Sequence, residues 1–239
     1  MQIAKGIHRL GNGLINAYLI EEGGEVTIID AGAPGLWSRV PGELAAMGRS
    51  MEDVRAIVLT HGHSDHVGYA ERARRERGWR VLVHELDEAL ARGQVKNPAQ
   101  GARMRIGPML SFSWWALRHG LMRVPPLTEV ATYGDGATLD VPGAPRVILV
   151  PGHTPGSAAL HVAGHDVVFV GDAMATYTVT SGVRGPRVAA FSADYAQARE
   201  SLLRLEGLDA RLVLPGHGDA FDGGIAEAVR IAREAPLPG

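Results

Sequence analysis

The chain has 239 residues, 46% of them hydrophobic, which is enough to bury a large core. Its 24 Lys and Arg nearly balance 26 Asp and Glu, and without a long basic run we expect no nucleic-acid partner. It contains no cysteine, so disulfides, thiolate nucleophiles and thiolate metal ligands are excluded and any metal must be held by nitrogen and oxygen.

The N-terminal residues show no charged leader followed by a long apolar run, so we expect no signal peptide. No segment approaches the roughly 18 consecutive apolar residues of a membrane span. These two features predict a cytoplasmic protein with no membrane partner.

Short apolar runs between glycine-rich turns predict strands in the first third of the chain, and runs with helical spacing predict helices. The predicted strands are 15–20, 26–29, 54–59 and 81–83, and the predicted helices are 36–47, 67–77 and 85–91.

From about 94 to 128 the pattern changes to Met, Leu and Trp among Arg and Gly, which predicts a helical insertion. It holds Trp114 and Trp115, two of the four tryptophans. We weigh two roles equally: a lid or pocket wall that includes these two residues, or the contact surface of a homodimer.

The second half returns to short apolar runs separated by Pro and Gly. They predict strands at 138–141, 147–150, 158–162, 167–170 and 212–214, and helices at 194–205 and 225–235. Strands and helices thus occur in two similar blocks. This predicts an α/β fold in which two packed sheets lie between helices, an α/β/β/α sandwich in one domain spanning 1–239.

Three histidines and an aspartate stand within six residues directly after the predicted strand 54–59, at His61, His63, Asp65 and His66. In a strand-like loop, residues two apart point the same way, so the first two histidines can converge on one metal ion. The other two can turn towards a neighbouring point. Imidazole and carboxylate suit zinc, and also iron or manganese.

Three further ligand-type residues each follow a predicted strand and a glycine turn: His153, Asp172 and His217. The ends of buried strands are rigid positions at which sites are commonly built. We also expect Asp30, at the end of strand 26–29, to support the histidine loop through a hydrogen bond, unless it is an ordinary turn residue.

On these motifs the chain resembles the metallo-β-lactamase superfamily, with glyoxalase II-like and lactonase-like members. The matching segments cover nearly the whole chain: 16–20, 29–32, 60–66, the surroundings of 153, 171–172 and 216–217. The resemblance implies two divalent metal ions, zinc in the first instance. One would be held by His61, His63 and His153, the other by Asp65, His66 and His217, with Asp172 bridging them.

The resulting hypothesis is a hydrolase that uses a metal-bound hydroxide on an ester, thioester, lactone or amide of a small molecule, with Asp65 as a catalytic residue. A glyoxalase II-type thioesterase is disfavoured by the short tail after His217. Tyr177 is a candidate pocket residue, as a tyrosine is in lactonases, although its offset differs. The alternatives are a mononuclear iron persulfide dioxygenase and a non-catalytic metal-binding protein.

Overall fold

Two β-sheets lie face to face at the centre of this computed structural model, which describes residues 1–238. The larger sheet has seven strands in sequence order: β1 (Gln2–Ala4), β2 (Ile7–Gly11), β3 (Asn16–Glu22), β4 (Glu25–Ile29), β5 (Val54–Val58), β6 (Arg80–His84) and β7 (Ala131–Tyr133). Neighbours from β1 to β4 are antiparallel, and those from β4 to β7 are parallel. The carboxyl ends of β4, β5 and β6 therefore meet at one edge.

The smaller sheet has four strands, formed by the second half of the chain. The second half of the chain contains six strands in all: β8 (Arg146–Leu149), β9 (Ala158–Val162), β10 (Val167–Gly171), β11 (Ala175–Tyr177), β12 (Arg184–Arg187) and β13 (Leu212–Pro215). The sheet order is β13-β10-β9-β8, and β11 and β12 form a separate hairpin. Because β10 and β13 are parallel, their carboxyl ends also lie side by side.

Helices cover the two outer faces, and the helical segments are short. The α-helices are α1 (Val40–Ala46), α2 (Ser64–Val67), α3 (Ala70–Arg77), α4 (Glu88–Ala91), α5 (Ile106–Arg118), α6 (Tyr195–Ser201) and α7 (Ile225–Glu234). Single turns of 3-10 helix lie at Met51–Asp53, Glu85–Asp87, Leu121–Arg123 and Ala163–His165, with longer ones at Pro34–Arg39 and Leu202–Leu205.

Apolar side chains pack in three layers, one between the two sheets and one between each sheet and its helices. This packing confirms the predicted α/β/β/α order. Residues such as Tyr18 and Phe169, whose rings lie 5.3 Å apart, fill the space between the two sheets. Leu44 and Ala73 belong to the layer between the larger sheet and its helices. Ala228, on α7, belongs to the layer behind the smaller sheet.

The largest differences from the predicted elements lie where turn residues interrupt an apolar run. The predicted strand 138–141 is reduced to an isolated bridge between Thr138 and Arg146, because the chain turns back on itself through Pro142 and Gly143. The predicted helix 36–47 is a 3-10 segment followed by α1, which has a proline in its first turn.

Five short strands were not predicted: β1, β2, β7, β11 and β12. Within the insertion, helix is confined to α5 and to the turn Leu121–Arg123. Across residues 1–238, no helix combines the length and the apolar character required to cross a membrane.

Candidate metal centre

The predicted ligands leave the two sheets at the ends of four strands. The run from His61 to His66 follows β5, His153 follows β8, Asp172 follows β10 and His217 follows β13. Because the two sheets pack face to face with these ends on the same side, all seven side chains meet at one edge of the sandwich. A backbone hydrogen bond from Ala158 N to Thr60 O, 2.9 Å long, ties the two sheets together beside this edge.

The seven side chains form three overlapping groups of three. Within each group, the potential ligand atoms lie within 4.8 Å of one another. These groups are His61, His63 and His153; His61, His66 and Asp172; and Asp65, His66 and His217. They contain the two ligand sets expected from the resemblance. One Asp172 oxygen, Oδ2, lies 3.1 Å from His217 Nε2 and 3.6 Å from His153 Nε2, so this carboxylate stands between the two sets.

Asp30 controls the orientation of two histidines. Its carboxylate can only accept, so His66 donates from Nδ1 to Oδ2 at 2.8 Å and presents Nε2 to the centre. The Thr60 hydroxyl donates to the same carboxylate at 2.9 Å and must therefore accept from His61 Nδ1, which lies 3.1 Å away. The geometry is that of a group supporting the histidine loop, as expected for Asp30.

His153 and His217 also turn Nε2 towards the centre, and each has a different partner at Nδ1. Ser192 donates its hydroxyl to Ala189 O at 2.9 Å, so its oxygen accepts from His153 Nδ1 at 3.1 Å. His217 donates from Nδ1 to the backbone carbonyl of Leu14. In both cases Nε2 is the ring nitrogen that faces the centre.

His63 differs because its Nδ1 is the atom turned inward, 2.9 Å from His153 Nε2. Its Nε2 faces outward, 3.2 Å from the side-chain nitrogen of Asn97. The same Asn97 nitrogen donates to His153 O at 2.9 Å, so the start of the insertion contacts two of the candidate ligands.

Three buried atoms at the centre show that its residues fit metal ions. His61 Nε2, His66 Nε2 and Asp172 Oδ1 have no hydrogen-bond partner among the described residues. Leaving such atoms unpaired costs free energy, and native proteins rarely do so without a ligand. A set of imidazole nitrogens and carboxylate oxygens suits divalent zinc, iron or manganese.

The electrostatics divide the histidines into two kinds. Burial, together with the neighbouring His63, lowers the pKa of His153 to about 3. Burial also disfavours the charged form of His217, but Asp172 and Asp65 beside it raise its pKa to about 10. Metal binding needs neutral imidazole, so a metal ion must displace a proton at His217 and need not do so at His153.

Asp87 is a positioning residue that sequence reasoning missed. It is fully buried and accepts from Gly62 N and Thr154 Oγ1 at 2.8 and 2.7 Å, and from Gly156 N at 2.7 Å. It thereby joins the His61–His66 loop to the loop that carries His153. The sequence feature that could have identified Asp87 is its position three residues after β6, at the edge where β4 and β5 also end. Thr60, Ser192 and Asn97 carried no such signal.

A cavity of about 220 Å³ opens beside the centre. It is lined by candidate ligands (His63, Asp65, His153, Asp172 and His217) and by Tyr177, Phe112, Leu121, Phe191 and Val179, among others. Tyr177, which the sequence suggested as a pocket residue, therefore lies at the cavity. The choice of Trp114 and Trp115 is corrected: the first is 62% exposed, and the second is buried in the core and stacked on His119. The insertion reaches the cavity through Phe112 and Leu121 instead.

A family profile described as the metallo-beta-lactamase superfamily matches residues 10–217. Among curated proteins, the chain is similar to "Probable metallo-hydrolase YflN" of Bacillus subtilis. The two are 29% identical over 234 residues, which cover 93% of this chain and 87% of the relative.

Solved structures show the same likeness. A metallo-beta-lactamase family protein of Thermus thermophilus superposes with a TM-score of 0.69 at 25% identity, over 97% of this chain and 79% of the other. The metallo-beta-lactamase SMB-1 superposes with a TM-score of 0.70 over 98% and 93% of the two chains, and at 21% identity it supports the fold alone.

Proposed function

Because this chain belongs to the metallo-β-lactamase superfamily, we propose that it is a dinuclear metal-dependent hydrolase acting on a carboxylic acid derivative of a small molecule. The observation that carries this proposal is the pairing of two three-residue ligand sets around Asp172, together with three inward-facing atoms (His61 Nε2, His66 Nε2 and Asp172 Oδ1) that have no hydrogen-bond partner among the described residues. The description of the relative in Bacillus subtilis as a metallo-hydrolase supports it.

The proposed ligands of the two ions are those of the two sets: His61, His63 and His153 for one, Asp65, His66 and His217 for the other, and Asp172 for both. Two divalent ions bound there supply a water acidic enough to attack at neutral pH and a Lewis acid for the carbonyl oxygen. Zinc is the first candidate, with iron and manganese as alternatives.

Asp65 has the position of a proton-handling group. Its side chain lies beside the cavity and is 21% exposed, whereas that of Asp172 is 6% exposed. Its Oδ2 lies 3.3 Å from His217 Nε2, which fixes the carboxylate at the boundary between the ligands and the substrate space. From there Asp65 can accept a proton from the attacking water and return it to the leaving group.

The cavity wall favours an uncharged, apolar substrate. Phe112, Leu121, Phe191 and Val179 line it, and none of the described residues in the lining is Lys or Arg. A substrate carboxylate that lies away from the metal ions would therefore have no ionic partner in the lining. Arg184 does not line the cavity itself; it lies over the ring of Tyr177 at 5.2 Å and 3.7 Å from Asp219. We propose an apolar ester, thioester or lactone.

The test is a metal assay and a substrate panel on the same anaerobically purified protein. We expect about two metal ions per chain and turnover of neutral p-nitrophenyl hexanoate well above that of a succinyl ester with a free carboxylate. Asp172→Asn should lose both metal and turnover. His161→Ala is the control, because the side chain of this histidine on β9 bonds the backbone oxygen of Asp209 and belongs to neither ligand set.

The panel also includes glutathione persulfide with an oxygen electrode. About one iron per chain with oxygen uptake on that substrate would overturn the hydrolase proposal in favour of a dioxygenase using His61, His153 and Asp172. Full metal loading without turnover of any substrate would instead indicate a metal-binding protein.

A further inference from the structure

Helix α5 exposes a continuous apolar stripe to solvent. Ile106, Leu110, Trp114 and Leu117 recur at helical spacing and are 81, 66, 62 and 68% exposed. We call these four residues the outer stripe. Met104 before the helix and Met122 after it are also more than half exposed. Single exposed apolar residues are ordinary, whereas a contiguous apolar stripe marks an interaction surface.

The exposure of the outer stripe does not come from a poorly packed helix. On the opposite face of α5, Trp115 and Ala116 are buried, and Trp115 belongs to the core of the larger sheet. Phe112 on that inner side reaches the cavity. The helix is thus held on one side and presents the other side outward.

The same region carries an unusual charge. From residue 89 to 128 the sequence contains no Asp or Glu, although the whole chain has more acidic than basic residues. Between 94 and 128 it has five lysines and arginines: Lys96, Arg103, Arg105, Arg118 and Arg123. Among residues 1–238, none of these five lies within 4.0 Å of a carboxylate, whereas arginines such as Arg74 and Arg230 elsewhere do.

Cations and apolar side chains are interleaved on this surface. Arg118 lies over the ring of Trp114 at 4.8 Å, and Arg105 immediately precedes the first residue of α5. An exposed apolar stripe that includes tryptophan and is flanked by arginines is the pattern of a helix that lies in the interface of a membrane. Unpaired cations are attracted to anionic lipid headgroups.

We propose that the outer stripe docks on the surface of a bilayer that contains anionic lipids. The sequence-based expectation of no membrane partner rested on the absence of a spanning segment, and spanning is a different property from surface docking. This inference concerns a surface outside the metal centre and does not depend on the reaction proposed for it.

Charge disfavours a second copy of the chain as the occupant. In a symmetric dimer the same surface meets itself, so Arg105 and Arg118 of one copy would approach their equivalents without an intervening carboxylate. A planar anionic surface has the complementary charge and also suits a single convex helix.

Trp114 provides a direct readout. The other three tryptophans, Trp37, Trp79 and Trp115, are at most 8% exposed, so a change in tryptophan fluorescence on binding reports this position. The full-length protein is mixed with vesicles of phosphatidylcholine containing about 30% phosphatidylserine, with and without brominated acyl chains. We expect a blue shift, quenching by the brominated lipid, and weaker binding at high salt. A Trp114→Phe variant should bind and lose the signal.

Two double variants separate the two contributions. Arg105→Gln with Arg118→Gln should weaken vesicle binding roughly thirtyfold, since each charge contributes near an anionic surface. Leu110→Ser with Leu117→Ser should abolish quenching at equal lipid. Arg75→Gln with Arg146→Gln removes two exposed cations elsewhere, and Leu203→Ser removes an exposed leucine; both controls should bind as the parent does.

The proposal is overturned by absence of binding at about 1 mM lipid, by equal binding to pure phosphatidylcholine, or by unchanged binding in both double variants. Sedimentation without lipid tests the rival occupant. A dimer that dissociates in the Leu110→Ser, Leu117→Ser variant would assign the outer stripe to a second copy of the chain. Hydrolysis of a soluble substrate is measured in parallel and should stay unchanged in every variant.

Discussion

The metal centre and the insertion meet at the cavity that Phe112 lines, and they differ in how their side chains are held. At the centre, His61, His66, His153 and His217 each have one ring nitrogen held by a defined partner, and the other faces inward. On the outer side of α5, large apolar side chains and unpaired cations face solvent. Hydrogen bonds within the protein orient the side chains of the centre. The side chains on the outer face of α5 are exposed, so contacts within the protein do not indicate their function.

Substitutions should therefore have different effects in the two regions. A change at the centre alters several partners at once, because Asp30, Asp87 and Asp172 each contact more than one other residue. A change on the outer face of α5 should act on one contact and leave the centre intact.

The largest effect is expected for Asp172→Ala. Its carboxylate stands between both ligand sets, so its removal should lower metal content at both positions and reduce kcat/KM about a thousandfold. Elemental analysis after dialysis, together with kinetics, measures this. Unchanged metal stoichiometry would contradict the bridging role and weaken the contrast.

A smaller effect is expected for Asp87→Ala, which touches no candidate ligand side chain. It leaves three buried donors without an acceptor, so we expect the free energy of unfolding to fall by about 3 kcal/mol. Because two ligand loops lose their common anchor, metal affinity should fall about 10- to 100-fold. Asp87→Asn should be milder, since the amide oxygen can still accept.

Urea unfolding and competition with a chelator measure the two quantities for Asp87. The exposed Asp222→Ala serves as the control and should change neither. If Asp87→Ala lost stability and kept its metal affinity, the residue would support the fold without positioning the ligands.

The two faces of α5 can be compared within one helix. Phe112→Ala opens the apolar cavity wall and should lower kcat/KM for an apolar ester about tenfold, with metal content unchanged. Leu110→Ala, on the outer stripe, should leave kcat/KM within about twofold. Equal loss in both variants would mean that the helix acts as a unit, against the separation proposed above.

The smallest effect concerns the C-terminal attachment of the insertion. Glu71 on α3 is buried and accepts from Arg74 and from Thr128 N and Oγ1 at 2.9 to 3.2 Å. The Arg74 guanidinium holds the pKa of Glu71 below its usual value. Glu71→Gln should therefore lower the free energy of unfolding by about 1 kcal/mol at pH 7.

The sign of the pH dependence follows from that lowered pKa. A carboxyl whose pKa is lower in the folded state contributes stability above its unfolded pKa of about 4.3, and this contribution disappears as pH falls further. The difference between the parent and Glu71→Gln should shrink below about pH 4.3. A difference independent of pH would remove the ionic explanation. The exposed Glu129→Gln is the matched control.

The seven candidate ligands were predictable from local signals that do not depend on distant residues. Four stand in one short run directly after a predicted strand, and the other three each follow an apolar run and a glycine turn. Boundaries were less predictable where turn residues decided them, as at Pro142 and Gly143. Trp114 and Trp115, which are neighbours on α5, show what residue composition cannot predict. Composition placed both in a pocket, but adjacent residues on a helix point about 100° apart. Packing turned one to solvent and the other to the core.

Residue type and spacing along the chain were sufficient to predict the superfamily, the two-layered sheet core and the candidate ligands. Only the tertiary structure decided which atoms hold the ligands in place. Asp87, Thr60 and Ser192 acquire their roles from contacts with residues 30 to 67 positions away in the sequence. Tertiary packing likewise decided which face of α5 lines the cavity and which remains exposed, because that choice depends on the surface against which the helix packs.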